Sequence, residues 1–181
     1  MPEDFPTYPA VKLTDHTTIS FRRLQASDTS LLVDFYDHLS EETRFLRFQF
    51  HTEGMSREKI FAYAQQLTDI DPETALAIVA VYQEAQQETF VGVIRYAKEN
   101  VQDRTAEFAI TVRDDFQQKK IGTHLLHLLI EEAKKQEVDF LTGMILPSNT
   151  SVVKLLKKAG EKVSFASEGV QTHVHIDVRS T

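Results

Sequence analysis

The chain has 181 residues, 41% of them hydrophobic and 26% charged, with 27 acidic against 20 basic side chains and a formal net charge of −7. That length suits one globular domain around one core, and the acidic balance argues against a general nucleic-acid binder, which needs clustered Lys and Arg to neutralise phosphates. The lack of cysteine excludes disulfides, thiolate zinc sites and a thiol nucleophile together.

In chain order, Met1 to Pro9 holds three prolines and reads as irregular, so residues 1–17 are expected to form an N-terminal arm. No basic start leads into an apolar run there, and no stretch approaches the roughly 18 apolar residues of a spanning helix, so the expectation is a cytoplasmic protein without a signal peptide or a membrane partner. Thr18 to Leu24 alternates as a first strand. Ser27 or Asp28 then offers a cap to a helix carrying Leu31, Leu32, Phe35, Tyr36 and Leu39. The segment Thr43 to Phe48 has two readings: Phe45, Phe48 and Phe50 around Arg44 and Arg47 form a substrate lip, or they anchor a short helix, the favoured reading since large apolar residues usually go inside. Ser56 to Thr68 has helical spacing at Ile60, Phe61, Ala64 and Leu67. The apolar run Ala75 to Tyr82 predicts a strand covered on both faces, joined through the polar turn Gln83 to Glu88 to a second strand, Thr89 to Ala97, in a hairpin.

The stretch Ala106 to Ala133 is the organising unit. Ala106, Phe108, Ile110 and Val112 alternate with Glu107, Ala109 and Thr111 as a strand, which leads into the polar loop Asp114 to Lys120. A helix follows with Leu125, Leu126, Leu128, Leu129, Ile130 and Ala133 on a broad apolar face. A helix entered from such a loop presents unpartnered amides and the positive end of its dipole, which suits an anion such as a pyrophosphate. Beyond it come a strand from Val138 to Leu146, a helix from Ser148 or Asn149 to Lys158 closed by Gly160, and strands Glu161 to Ala166 and Gln171 to Val178 around a Glu168-Gly169 turn. With hairpins among them, these elements predict a single α/β (α+β) domain, residues 1–181, with a mixed sheet of six to seven strands and about four helices.

Gln117, Ile121 and Gly122, followed by Leu125 and Leu126, resemble the Q/R-x-x-G-x-G/A loop and helix of the GNAT superfamily of acetyl-CoA dependent N-acetyltransferases. Lys120 stands where that pattern has its first glycine. It can adopt a helical conformation and add a phosphate-binding charge, or it can block close approach of the cofactor. The segments LSEETRFLRF (39–48), ALAIVAV (75–81), VGVIRY (91–96) and AEFAITV (106–112) are similar to the catalytic domain of bacterial protein-lysine acetyltransferases that modify acyl-CoA synthetases. The resemblance implies acetyl-CoA wedged between splayed strands, here Ala106 to Val112 and Val138 to Leu146, and an amine acceptor such as a protein lysine, in a monomer or homodimer without a metal.

The same resemblance makes Glu107 the general base, and burial in a sheet covered on both faces would fit it to accept a proton; the alternative is a strand carboxylate paired with Arg95, Arg113 or a lysine. Cofactor contacts are expected from Ile110, Thr111 and Val112, from Gln117, Gln118, Lys119, Lys120, Ile121 and Gly122, and from Thr123 and Asn149. Either loop lysine is equally well a solvated side chain, and Asn149 equally well a plain helix cap. Arg44, Phe45 and Phe48 are the candidate acceptor contacts. Where many superfamily members carry a tyrosine to protonate the leaving thiolate, Leu156 stands here, so another group or water must serve. His124 and His127 with Glu131 share a helix face, read as solvated rather than metal-binding, and His173 and His175 lack a third ligand.

Overall fold

The long apolar run becomes β3 (Ala75–Glu84), buried over six consecutive positions because helices cover both of its faces. The computed structural model describes residues 7–49, 55–159 and 162–179. Around β3 it places β1 (Thr7–Lys12), β2 (Thr18–Arg23), β4 (Gln87–Ala97), β5 (Thr105–Val112), β6 (Phe140–Ile145), β7 (Lys162–Glu168) and β8 (Gln171–Asp177). Among the described residues these form one eight-stranded sheet in the order β1-β2-β3-β4-β5-β6-β8-β7. Every neighbouring pair is antiparallel except β5 and β6.

Helix α4 (Ile121–Lys135) lies on one face, where Leu125, Leu126 and Leu129 are fully covered against Phe21, Ile78, Ile94 and Phe108. Burial of each such leucine contributes about 1.5–3 kcal/mol. The other face takes α1 (Thr29–Asp37) and α3 (Arg57–Thr68), whose Leu32, Phe35, Ala64 and Leu67 meet Ala77, Val79 and Val93. A short helix α2 (Glu41–Phe48) follows α1, and α5 (Thr150–Lys157) joins the α4 side through Leu156. Between Ala80↔Gly92 and Val81↔Phe90 the β3–β4 register slips, which leaves Val91 as a bulge whose carbonyl accepts Arg113 N–H at 2.9 Å. Gly92 beside it lets α4 approach closely: a Cβ there would lie 2.9 Å from Leu125 Cδ1, which would have to shift. No helix among the described residues is long and apolar enough to cross a membrane.

The fold class is the expected one, with differences at particular elements. Among the described residues there are eight strands and five α-helices, the eighth strand being residues 7–12, expected to be part of an irregular arm and found as an edge strand. Pro9 is tolerated there since it falls in the break between the Tyr8↔Phe21 and Val11↔Ile19 pairs, where no ladder N–H is needed. The β3–β4 pairing continues through Glu84↔Gln87, so the hairpin closes on Ala85 and Gln86, both at positive φ, rather than on a six-residue polar turn. Thr43 to Phe48 falls within helix α2, in line with the favoured reading. Asp28 does not cap α1 with its side chain; the carboxylate instead accepts from Arg22 and from Gln25 N–H. Phe50, Gly160 and Glu161 lie outside the described residues.

Candidate active site

Strands β5 and β6 part company after three residues. Their parallel pairing covers Thr105↔Phe140, Ala106↔Leu141 and Glu107↔Thr142 and then stops, while β5 continues with β4 to Val112 and β6 continues with β8 to Ile145. The facing edges beyond Glu107 carry amides and carbonyls that no strand answers, the polar complement an amide-rich pantetheine arm needs. A cavity of about 1190 Å³ fills this opening. It is lined by Glu107, Ile110, Thr111, Val112, Gln117, Gln118, Lys120, Ile121, Gly122, Thr123, Asn149, Arg44 and Phe48; of the residues expected here, Lys119 and Phe45 do not line it.

The loop before α4 turns into the helix at the far end of this cavity. Gln117 Nε2 donates to the Val112 carbonyl at 3.1 Å, which folds the loop back onto the end of β5. Gln118 and Lys120 both adopt left-handed backbone, φ 60° and 66°, so the chain turns sharply into α4. No side chain caps that helix, and its first amides have no intrahelical acceptor. Gly122 faces the opposite wall, where a Cβ would sit 3.4 Å from Leu155 Cδ2. This arrangement fits the diphosphate of coenzyme A. Lys119 points elsewhere: its ammonium pairs with Asp15 at 3.0 Å and lies over the Phe116 ring.

Lys120 keeps a left-handed conformation that glycine adopts freely, and a non-glycine residue loses roughly 1 kcal/mol by doing so. Lys120→Gly is therefore expected to gain about 1 kcal/mol, a rise of roughly 2–4 °C in Tm. If the lysine's charge helps hold phosphate, calorimetry will show several-fold weaker acetyl-CoA binding with a shallower salt dependence. Tighter binding would instead identify Lys120 as an obstruction.

Helix α2 walls the other side and is pinned to the loop by Asp114, whose carboxylate accepts from Ser40 N–H (2.9 Å), Ser40 Oγ (2.7 Å) and Thr43 Oγ1 (2.6 Å). Partial burial pushes the Asp114 carboxyl up, but these hydrogen bonds bring it below its usual range. At the far end of α2, Gln49 donates to the Met144 carbonyl at 3.0 Å and also meets Gln171, tying the helix across to β6 and β8. Arg44 spends its guanidinium on the carbonyls of Leu39 (3.0 Å) and Asp37 (3.5 Å), so it braces α1 against α2 although its stem lines the cavity.

Glu107 stands at the last paired position before the strands diverge. The burial expected of it is not found: its side chain is exposed, and the cluster that α1 and α3 build over Ala77, Val79 and Val93 of β3 and β4 does not extend to β5. The alternative pairings do not form either, since Arg113 bonds Asp115 at 2.6 Å and Glu107 feels Arg95 only as a longer-range attraction. Asn149 caps α5, its side-chain oxygen accepting from Val152 N–H at 3.2 Å, while still lining the cavity. Leu156 is fully buried. Among the described residues no group of three His, Asp or Glu side chains is placed to hold a metal ion, and His124 packs against the Phe21 ring.

The sequence offers Arg95 only as an alternative partner of Glu107, and it lines a small hollow beside the cavity. The available signal was its position two residues after Val93, on a strand face that is otherwise covered by α1 and α3.

Residues 18–162 match the family model described as an acetyltransferase (GNAT) domain. The chain is 32% identical over 123 residues to the acetyltransferase PA5475 of Pseudomonas aeruginosa, an alignment that covers 68% of this chain and 63% of that protein. The chain thus spans somewhat under two thirds of that relative's length. In fold it is similar to the GNAT domain of S. lividans PAT, with a TM-score of 0.79 at 22% identity over 94% of this chain and 99% of that one. It is also similar in fold to yncA of Salmonella typhimurium, solved with its cofactor acetyl-CoA, with a TM-score of 0.63 at 18% identity over 90% and 95% of the two chains.

Proposed function

Since the chain belongs to the GNAT acetyltransferase family, we propose that it transfers the acetyl group of acetyl-CoA to the amine of a protein lysine, with Glu107 as general base. The observation that carries this reading is the divergence of β5 and β6 at Glu107, with the anion-binding loop at one end of the resulting cavity and an exposed carboxylate at the other.

Acetyl-CoA supplies an acetyl thioester. Its diphosphate fits the amides of Gln118 to Thr123, and its pantetheine fits the unpaired edge of Ile110 to Val112. Glu107 takes a proton from the acceptor nitrogen as the new N–C bond forms and the C–S bond breaks. Strand amides beside it are placed to stabilise the charge that develops on the acetyl oxygen. Leu156 offers no proton, so the departing sulfur draws one from water or another group.

An exposed Glu107 in a wide opening favours an amine carried on a long, thin side chain of a large molecule, since a small acceptor gains most from an enclosed pocket. Offering isotope-labelled acetyl-CoA and the purified protein to a cell lysate tests this: label is expected in protein bands, and label confined to small molecules would replace lysine with a small amine as the acceptor.

A further inference from the structure

Two arginines flank the acceptor side of Glu107. Arg47 projects from α2 into the main cavity, and Arg95 stands on β4 opposite Ala109 of β5, whose strand carries Glu107 two residues earlier. Both line a hollow of about 10 Å³, and four of its residues, Tyr36, Arg47, Ala109 and Thr111, also line the main cavity, so the hollow is a dimple in the cavity wall and an anion meets the arginines at its mouth, from the cavity side. Its floor is the apolar core of Leu32, Leu67 and Val93.

Elsewhere in the fold guanidinium groups meet carboxylates: Arg22 with Asp28, Arg23 with Glu132, Arg104 with Asp139, Arg113 with Asp115 and Arg179 with Asp177. Among the described residues Arg47 and Arg95 form no such pair and no hydrogen bond; Arg47 has the Phe48 ring beneath it. Two cations are thus held half-buried with no directly bonded carboxylate, Glu107 attracting Arg95 only at longer range, in a chain that carries an excess of acid. Burial draws the Arg95 guanidinium down from its usual value, and the charge of Arg47 acts in the same sense. An arrangement that costs free energy in the isolated protein is relieved by an anion that enters from outside.

Along β5, Ala109, the partner of Arg95, lies two residues from Glu107, roughly 7 Å, and three from Val112, roughly 10 Å, after which the diphosphate loop begins, so Arg95 stands nearer the acceptor end than the loop. A planar fork of N–H donors matches a carboxylate in two parallel hydrogen bonds.

We propose that Arg47 and Arg95 form a carboxylate subsite, so that the enzyme selects acceptor lysines with an aspartate or glutamate close by in the acceptor chain. This rests on the protein-lysine reading above. It also assigns α2 a role beyond closing the cavity, since the helix pinned by Asp114 carries one of the two selecting groups.

The test compares peptides of one length in which the acceptor lysine is flanked by glutamate, by glutamine or by lysine, with free lysine against lysinamide as a parallel pair. Each is titrated calorimetrically into the protein saturated with coenzyme A, which has no acetyl group to transfer, and is followed separately for acetyl transfer with acetyl-CoA. The glutamate peptide is expected to bind about tenfold tighter than the glutamine peptide, the scale of one charge-assisted pair. The Arg47→Gln, Arg95→Gln double variant, shown by its melting curve and acetyl-CoA isotherm to be folded, is expected to lose that preference. Equal binding of the glutamate and glutamine peptides by the wild type overturns the subsite, whatever the transfer rates. A preference for lysine over lysinamide with no peptide acetylated keeps the subsite and overturns the protein acceptor.

Discussion

Glu107→Gln is expected to depress turnover at least about 10²-fold, the usual scale for losing a general base, while leaving the acetyl-CoA dissociation constant within roughly twofold of wild type. The substitution keeps the side chain's volume and its place at the end of the β5–β6 ladder, and Glu107 makes no hydrogen bond among the described residues that glutamine would break. It removes only the capacity to accept and hold a proton. The competing role for Glu107 is to balance the charge of Arg95. That role predicts a different kinetic pattern, with the acceptor KM changed and kcat nearly intact, because a removed electrostatic contact in the bound state acts equally on ground and transition states. Steady-state kinetics with acceptor varied at saturating acetyl-CoA, set beside calorimetry for the cofactor, separates the two. Unchanged kcat would remove Glu107 from the chemistry and leave this protein a binder in search of a base.

What was legible in advance follows from where local pattern and tertiary environment agree. Ala106 to Val112 and the leucine-rich helix after it satisfy periodicity and burial together, so both elements and the loop between them appear where expected. The parting of β5 from β6 was foreseen through resemblance rather than from spacing, since nothing in a strand's own alternation states where its neighbour leaves. Glu107 is expected to be buried and is exposed, because the rule for strands covered on both faces holds for β3 under α1 and α3 and does not extend to this end of β5. Lys120 shows the opposite failure. A left-handed turn was associated with glycine, yet the turn persists with lysine because the Gln117 to Val112 hydrogen bond and the start of α4 hold its backbone from both sides. Edge strand β1 was hidden by its proline, and the pairing of Arg23 with Glu132 by a separation of 109 positions.

That last pair gives the largest expected effect on stability. Glu132 lies on the sheet-facing side of α4 with its side chain only 4% exposed, bonded to Arg23 of β2 and to Lys135 Nζ at 2.7 Å. The Tyr8 hydroxyl and Arg23 Nε–H are buried nearby without a hydrogen-bond partner, so Glu132 and Arg23 sit in surroundings where an unpaired polar group is costly. Arg23→Met removes the inner cation and leaves a buried carboxylate with one exposed lysine, a change expected to cost about 3 kcal/mol, or roughly 6–12 °C in Tm. Arg23→Met with Glu132→Leu is expected to recover most of the loss, because an apolar pair of similar volume has no charge to desolvate. The pH dependence distinguishes this from simple loss of packing. Burial pushes the Glu132 carboxyl up, but the hydrogen bonds from Lys135 and Arg23 outweigh it and hold the folded value below the usual one. A depressed folded value stabilises the protein fully above the unfolded carboxylate value, near 4.3, and this contribution is lost as pH falls through the folded value. The melting difference between wild type and Arg23→Met should therefore be widest near neutrality and shrink below about pH 4. A difference that stays constant from pH 7 to acid would mean that Arg23 contributes through its aliphatic stem against β1 and not through its charge.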